Sequence, residues 1–386
     1  MRWDHFTDFS GMLVEGVINF SANATGKQIA LLRPEKVAAN GVKLYGLDLL
    51  DLESMQVVNL LEQISRLDNI TISPDGKWVA YMMGEHISTV YALPVDKAIQ
   101  TIELGTCLDE TQTHCEQLTW SPDSRLIAWN DARGIWISPL TGAIDSPAHT
   151  RKVEVEDPRG EKTEIEVDFH SLDWSPVGRF LLTKIAPSAS DVKWLALLDT
   201  LTGRLAAVPD TYERMTPNAN ALWMTDGKLL LIHTSDRNGQ SYLQVKLWQI
   251  VPTSVDLLVP HNFSDQDSND FGIPLPINSA GTSLCPAWLA QLEEGQIMLE
   301  IAPPQNLAAS LLFSLDLKEQ TLHQLVDVPF DIVEILWAPD GSGVLILGGH
   351  SQIIFAPNHS TSFYDLRPIL GDDAHGFQWL APSPRS

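Results

Sequence analysis

The chain has 386 residues, 44% of them apolar, and a formal charge of −24 at pH 7. That acid excess argues against nucleic acid and anionic membrane surfaces as partners, because Lys and Arg contacts to phosphate carry such binding. No apolar run reaches the roughly 18 residues that a spanning helix needs, so no transmembrane segment is expected.

Residues 1–17 read as a leader with Trp3, Phe6 and Phe9, placed to cover a sheet edge or to be loosely held. The start, Met1–Phe6, has neither the basic end nor the apolar core of a signal peptide. From about Val17 a phrase begins that recurs along the chain: strand, tight turn, strand. Its first copy is Phe20-Ser21 with Gly26–Leu32, and Pro34–Asn40 reads as an insertion between strands. The clearest copies are Ile72-Ser73-Pro74-Asp75-Gly76 running into Trp78–Tyr81, and Trp120-Ser121-Pro122-Asp123-Ser124 running into Leu126–Trp129. Next come Trp174-Ser175-Pro176-Val177-Gly178, Trp223-Met224-Thr225-Asp226-Gly227 and Trp337-Ala338-Pro339-Asp340-Gly341, with a worn copy at Trp288. Ser-Pro-Asp-Gly fits a type I turn: Pro presets φ at the second position, Asp bonds nearby backbone N–H groups, and Gly eases the exit. The apolar runs that follow are too short for helices and read as buried strands.

Each copy is followed by a third strand, such as Lys43–Asp48, Gly134–Ser138 or Trp194–Asp199, and by a short fourth. Lys152–Glu156 and Glu164–Val167 alternate about Asp157-Pro158-Arg159-Gly160, which predicts a ribbon ending unit three with one wet acidic face. His261–Thr282 reads as a long surface loop. Gly376–Pro382 restates the opening of the phrase, as an extra first strand would in a ring built from both chain ends. Four strands repeated every roughly 40–65 residues is the signature of a β-propeller.

The phrase Trp/Phe-Ser-Pro-Asp-Gly-x-x-Ile-Ala, followed by an aromatic-rich third strand and Leu-Asp-x-x-Thr-Gly, resembles the repeat of TolB-like β-propellers over about residues 18–370. The resemblance implies an all-β, single closed propeller of seven four-stranded blades, or eight if leader and tail jointly build one. It leaves activity open, because such propellers serve both as binding scaffolds and as accessory domains of peptidases. Serine peptidase activity is not expected: no Gly-x-Ser-x-Gly elbow is present, and the propeller reading takes residues 18–386.

Candidate site residues follow from position. Polar residues three or four places before the Trp or Ile of the phrase begin the innermost strands and should rim the channel: Asp68, Asn69, Glu116, Gln117, His170, Asn220 and Glu334, alongside Ser171. They either satisfy backbone groups and channel water or bind a polar ligand or cation. The loop-rich face, carrying the strand two to three loops and the inter-blade loops, is the expected binding surface. His86, His233 and His350, each placed just after a second strand, read as solvated loop histidines. Asp265, Asp267, Asn269 and Asp270 resemble the start of a calcium loop, but its sixth position is Asp270 and its twelfth Pro276, so calcium is a weak candidate and no other metal or cofactor is expected. Seven residues separate Cys107 from Cys115. A disulfide there would suit an oxidising compartment, while free thiols or a metal shared with His114 remain open.

The expected function is a non-catalytic, protein-binding scaffold or subunit of a larger assembly, with extracytoplasmic placement favoured over cytoplasmic. The alternative is a glycan- or metal-dependent, lyase-like enzyme at the channel mouth.

Overall fold

A computed structural model describes residues 17–37, 41–65, 67–84, 87–96, 100–108, 117–156, 162–187, 194–208, 219–237, 240–250, 263–264, 271–275, 285–293, 295–302, 310–328, 332–337, 343–348, 352–357 and 364–366. It divides into two compact units between Trp174 and Ser175.

Seven antiparallel sheets follow one another in sequence, the arrangement of a seven-bladed propeller, and the described residues include no helix. In the first unit, sheet one runs Asn19–Ala22, Gln28–Val37, Lys43–Asp51 and Gln56–Ser65. Sheet two runs Leu67–Ile72, Trp78–Gly84, Ile87–Pro94 and Ile102–Leu108. Sheet three runs Leu118–Trp120, Leu126–Asp131, Gly134–Pro139 and His149–Thr150. In the second unit, sheet four contains Phe180–Pro187, Trp194–Asp199 and Arg204–Ala207, and sheet five contains Asn220–Trp223, Leu229–Arg237 and Gln240–Ile250. Sheets six and seven begin at Cys285–Glu293 and Ile332–Trp337, with four strands each. The expected closing strand, 376–382, lies outside the described residues.

The phrase makes its turn as its residues dictate. The carbonyl of Ser73 accepts from Gly76 N at 2.9 Å, and Ser121, Ser175 and Met224 repeat the bond with Ser124, Gly178 and Gly227. The residue whose amide donates sits at positive φ each time, +72° at Gly76 and +61° at Ser124, a conformation that suits glycine. Side chains lock the hairpin. Ser73 Oγ donates to Asp75 Oδ1 at 2.7 Å and accepts from Trp78 N at 3.0 Å, while Lys77 N donates to the same carboxylate at 3.1 Å. Ser121, Asp123, Arg125 and Leu126 reproduce this set. The Ser121 hydroxyl is the main reason the Asp123 carboxyl titrates below its usual range.

Within each unit, apolar side chains fill the space between neighbouring sheets. Met82, Leu104, Ile127, Trp129 and Trp136 form one core from sheets two and three, and Ile232, Leu243, Leu299 and Phe313 form another from sheets five and six. Each such fully buried side chain contributes roughly 1.5–3 kcal/mol of hydrophobic stabilisation.

Four sequence expectations need correction. Pro34–Val37 is strand, not insertion: Gln28–Val37 stays paired with Lys43–Asp51 through a bulge between Pro34 and Lys36. Sheet three takes its fourth strand from His149–Thr150, so the ribbon of Lys152–Glu156 with Lys162–Phe169 follows that sheet instead of ending it. The 261–282 stretch is not wholly loop, because Phe263–Ser264 and Phe271–Pro274 both pair with Gln240–Ile250. His233 lies inside Leu229–Arg237, opposite Gln244 and 3% exposed; the ladder runs on past the apolar residues, so it is a buried strand histidine.

Candidate functional site

The described rim candidates lie in the first strands of the sheets or just before them, and in the first unit one of them, Gln117, ties sheet to sheet. Gln117 Nε2 donates to the carbonyl of Leu172 at 3.2 Å, and its Oε1 accepts from Leu172 N at 3.0 Å. Both ends of the amide are thus spent on backbone. The phrase tryptophans act in the same direction. Trp120 Nε1 donates to Thr71 O and Trp174 Nε1 to Thr119 O, each at 3.3 Å, so each indole reaches the preceding sheet one residue before that sheet's own Ile72 or Trp120. Ser21 Oγ accepts from Ile72 N at 3.2 Å, and Ser124 Oγ from Asp75 N at 3.1 Å.

The other rim candidates fall in both units. Asn69 is half-buried at φ +47°, with Nδ2 3.8 Å from Met82 Sδ. His170 is exposed, and Ser171 beside it is half-buried. Asp68 stands in Leu67–Ile72, though its side chain is not described. Asn220 and Glu334 belong to strands of the second unit. Glu116, the calcium-loop candidates Asp265, Asp267, Asn269 and Asp270, and His86, His114 and His350 lie outside the described residues. Among the described residues no group of three His, Cys, Asp or Glu side chains could hold a metal ion.

One residue of chemical interest escaped the sequence reading. Asp173 directly precedes Trp174. Asp173 is exposed, and desolvation by the protein beside it raises its carboxyl to about 6. A carboxyl that titrates near neutrality can exchange protons under working conditions. The available signal was positional, since the matching place in the other copies holds Thr71, Thr119, Leu222 and Leu336. In sheet three, His149 lies edge-on to Phe169 at 6.1 Å. Burial lowers its imidazole below the usual range against a 2.6 Å hydrogen bond with Thr150 O.

The end of the first unit that carries the strand two to three connections holds a second built feature. Asp131, 2% exposed, accepts from Trp136 Nε1 at 2.8 Å, Leu108 N at 3.1 Å and Arg133 Nε at 2.8 Å. The Arg133 guanidinium lies 4.2 Å over the Trp136 ring and donates to Thr106 O at 2.7 Å. Asn130 Nδ2 donates to Phe169 O at 2.7 Å. Cys107 is fully buried here, with Sγ 3.4 Å from Asn130 O, while Cys115 lies outside the described residues. Ile87, at the start of the third strand of sheet two, is 59% exposed on the same end.

No family model and no curated protein matches the sequence. Among solved structures, the tricorn protease is similar over 93% of this chain and 34% of its own, at 12% identity and TM-score 0.50. A prolyl endopeptidase is similar over 95% of this chain and 51% of its own, at 14% identity and TM-score 0.49. An oligogalacturonate lyase from Vibrio parahaemolyticus is similar over 87% of this chain and 84% of its own, at 10% identity and TM-score 0.46. This chain spans only a part of the two peptidases, and identities this low reach the propeller fold and no further.

Proposed function

We propose that this chain is a non-catalytic, protein-binding propeller with TolB-like repeats, a scaffold or subunit of a larger assembly that binds through its loop-rich end. The observation that carries the reading is Gln117. A side chain placed to meet a ligand at the channel mouth spends both ends of its amide holding Leu172. Its polarity serves the frame, as do the indoles of Trp120 and Trp174. A rigid frame of this kind suits display, and the loop-rich end has features to display: Ile87 with its exposed side chain, and the ribbon bearing exposed Lys162, Glu164 and Glu166. Ring closure through 376–382, a Cys107–Cys115 disulfide and an extracytoplasmic setting belong to the same reading.

Asp173 favours a second reading. A water-reached carboxyl titrating at about 6 is what a channel-mouth enzyme acting on glycans would use as its acid or base.

Cross-linking mass spectrometry on protein purified from its native host separates the two. The scaffold reading expects a stoichiometric polypeptide partner cross-linked to Lys152 and Lys162 of the ribbon. A partner-free monomer that turns over a polyuronate, with turnover lost in Asp173→Asn, overturns it.

A further inference from the structure

Arg133 is held by Asp131, Thr106 and Trp136 and left open at one nitrogen. Its Nε donates to Asp131 Oδ2 at 2.8 Å, its Nη2 donates to Thr106 O at 2.7 Å, and its guanidinium lies 4.2 Å over the Trp136 ring. Its backbone N–H donates to Asp131 Oδ1 at 2.8 Å. Ala132 beside it is fixed in turn, its N–H by Leu108 O and its carbonyl by Arg151 Nη1. Arg133 Nη1 has no hydrogen-bond partner among the described residues. The two charges of this pair are unequally placed: the Asp131 side chain is 0% exposed and that of Arg133 is 34% exposed. A ligand at the surface can touch the guanidinium and cannot touch the carboxylate. A cation is thus what this place presents, in a chain that carries 49 acids against 25 Lys and Arg.

Ile87 adjoins the same strand end from its other side. It stands opposite Leu108, whose N–H donates to Asp131 Oδ2 and whose carbonyl accepts from Ala132 N. Two residues along, Thr89 stands opposite Thr106, whose carbonyl holds Arg133. Ile87 and Arg133 therefore flank the segment Thr106–Leu108, about two strand spacings or roughly 10 Å apart. A few residues of extended chain span that distance. A guanidinium that the fold has already fixed loses little rotamer freedom on binding, and Arg is among the side chains that dominate interface energies. Nη1 offers N–H donors together with a positive charge, and the acceptor that gains from both is an anionic oxygen. Ile87, 59% exposed, gains from an apolar side chain.

We propose that Arg133 and Ile87 form one contact that receives an Asp or Glu of a partner polypeptide lying next to an aliphatic residue, with Arg133 Nη1 donating to the partner's carboxylate and Ile87 packing on the aliphatic side chain. This contact rests on the protein-binding reading and adds to it the chemistry of the partner.

Carboxyl footprinting with a carbodiimide and glycine ethyl ester tests it, on the complex purified from the native host with its partner identified by mass spectrometry. One Asp or Glu of the partner, beside a Leu, Ile or Val, should be protected in the complex and labelled in the free partner. Gln in place of that acid, and Arg133→Gln in this chain, should each weaken binding at least about tenfold. The two together should weaken it no more than one alone, as expected of groups that touch. Arg133→Lys keeps the charge and should lose less than Arg133→Gln. Because Arg133→Gln also takes a donor from Asp131, the partner's substitution, made against an unaltered chain, keeps the result free of any folding defect. A partner held equally by wild type and Arg133→Gln, or losses that add in the double variant, overturns the contact and leaves the protein-binding reading standing. No partner on the wild type overturns that reading, and the contact falls with it. A protected acid that belongs to a second copy of this chain assigns the place to self-association and also overturns the proposal.

Discussion

Gln117 and Leu172 are joined by two hydrogen bonds across 55 residues of sequence, one from each end of the Gln117 amide. Gln117→Leu keeps much of the volume and leaves the Leu172 N–H and C=O without those partners. A partly buried orphaned pair costs about 1–3 kcal/mol. Gln117→Glu keeps an acceptor for the N–H but sets oxygen against oxygen at the carbonyl, so it should recover little. Chemical denaturation reads both, and an unchanged midpoint in Gln117→Leu would remove this bond from the frame.

Asp131 organises sheet three from inside. Its carboxylate accepts from an indole, a backbone amide and a guanidinium that also stacks on that indole's ring. Asp131→Ala strands these donors and the Arg133 backbone amide at once, in a site where the acid itself is buried. Loss of about 3–5 kcal/mol is expected, the range for breaking a buried ion pair. Arg133→Lys keeps the charge but gives up the planar stack and the fork, and should cost less, about 1 kcal/mol. Thermal unfolding of the two variants gives the order, and equal losses would contradict it.

Asp173 makes stability depend on pH in an unusual direction. Burial raises its folded-state value to about 6 from the ordinary 3.8, so between those values the folded protein binds the proton more tightly than the unfolded chain. This residue's contribution is most favourable below about pH 4 and declines as pH rises to about 6. Asp173→Asn should flatten that part of the melting temperature profile and raise stability at pH 7 relative to wild type. A variant profile parallel to the wild type across pH 4–6 would show that the carboxyl titrates normally.

Sheet four carries the one clear copy of the turn without its acid. Val177 stands where Asp75, Asp123 and Asp226 stand, and it is 71% exposed. Ser175 Oγ still accepts from Phe180 N at 3.0 Å, so the half of the lock formed by Ser is in place. Val177→Asp should complete it, by accepting from the Ser175 hydroxyl and from Arg179 N, for a gain of about 0.5–1.5 kcal/mol. A destabilised Val177→Asp would mean that the acids at Asp75 and Asp123 do not act as turn locks.

The turns were legible because their chemistry is local. Ser73, Pro74, Asp75 and Gly76 settle one another within six residues, and the apolar runs after them have no length for anything but strand. What stayed hidden depended on distant partners. Pro34 reads as a breaker, yet a sheet tolerates proline at an edge or bulge, where no ladder bond is lost. His233 follows Leu229–Ile232, and its pairing with Gln244, in a ladder that runs on to Arg237, keeps it in a strand. Phe271–Pro274 lies in a polar stretch and is strand only because Tyr242–Val245 lies opposite. Among the rim residues, position alone found Gln117 but could not choose between ligand and backbone. Asp173 was passed over because an acid beside a Trp carries no motif, and its shifted titration comes from the protein packed around it.

Ile87 offers the most direct test of the protein-binding reading. Its side chain is 59% exposed on the loop-rich end and joins no buried cluster among the described residues, so Ile87→Asp should leave the unfolding midpoint unchanged. Quantitative mass spectrometry of complexes purified from the native host compares this variant with wild type. A stoichiometric partner held by wild type and depleted at least about tenfold on Ile87→Asp, equivalent to about 1.4 kcal/mol of binding, is the predicted result. Equal partner recovery on both proteins, or no partner on either together with glycan turnover that Asp173→Asn abolishes, would contradict it.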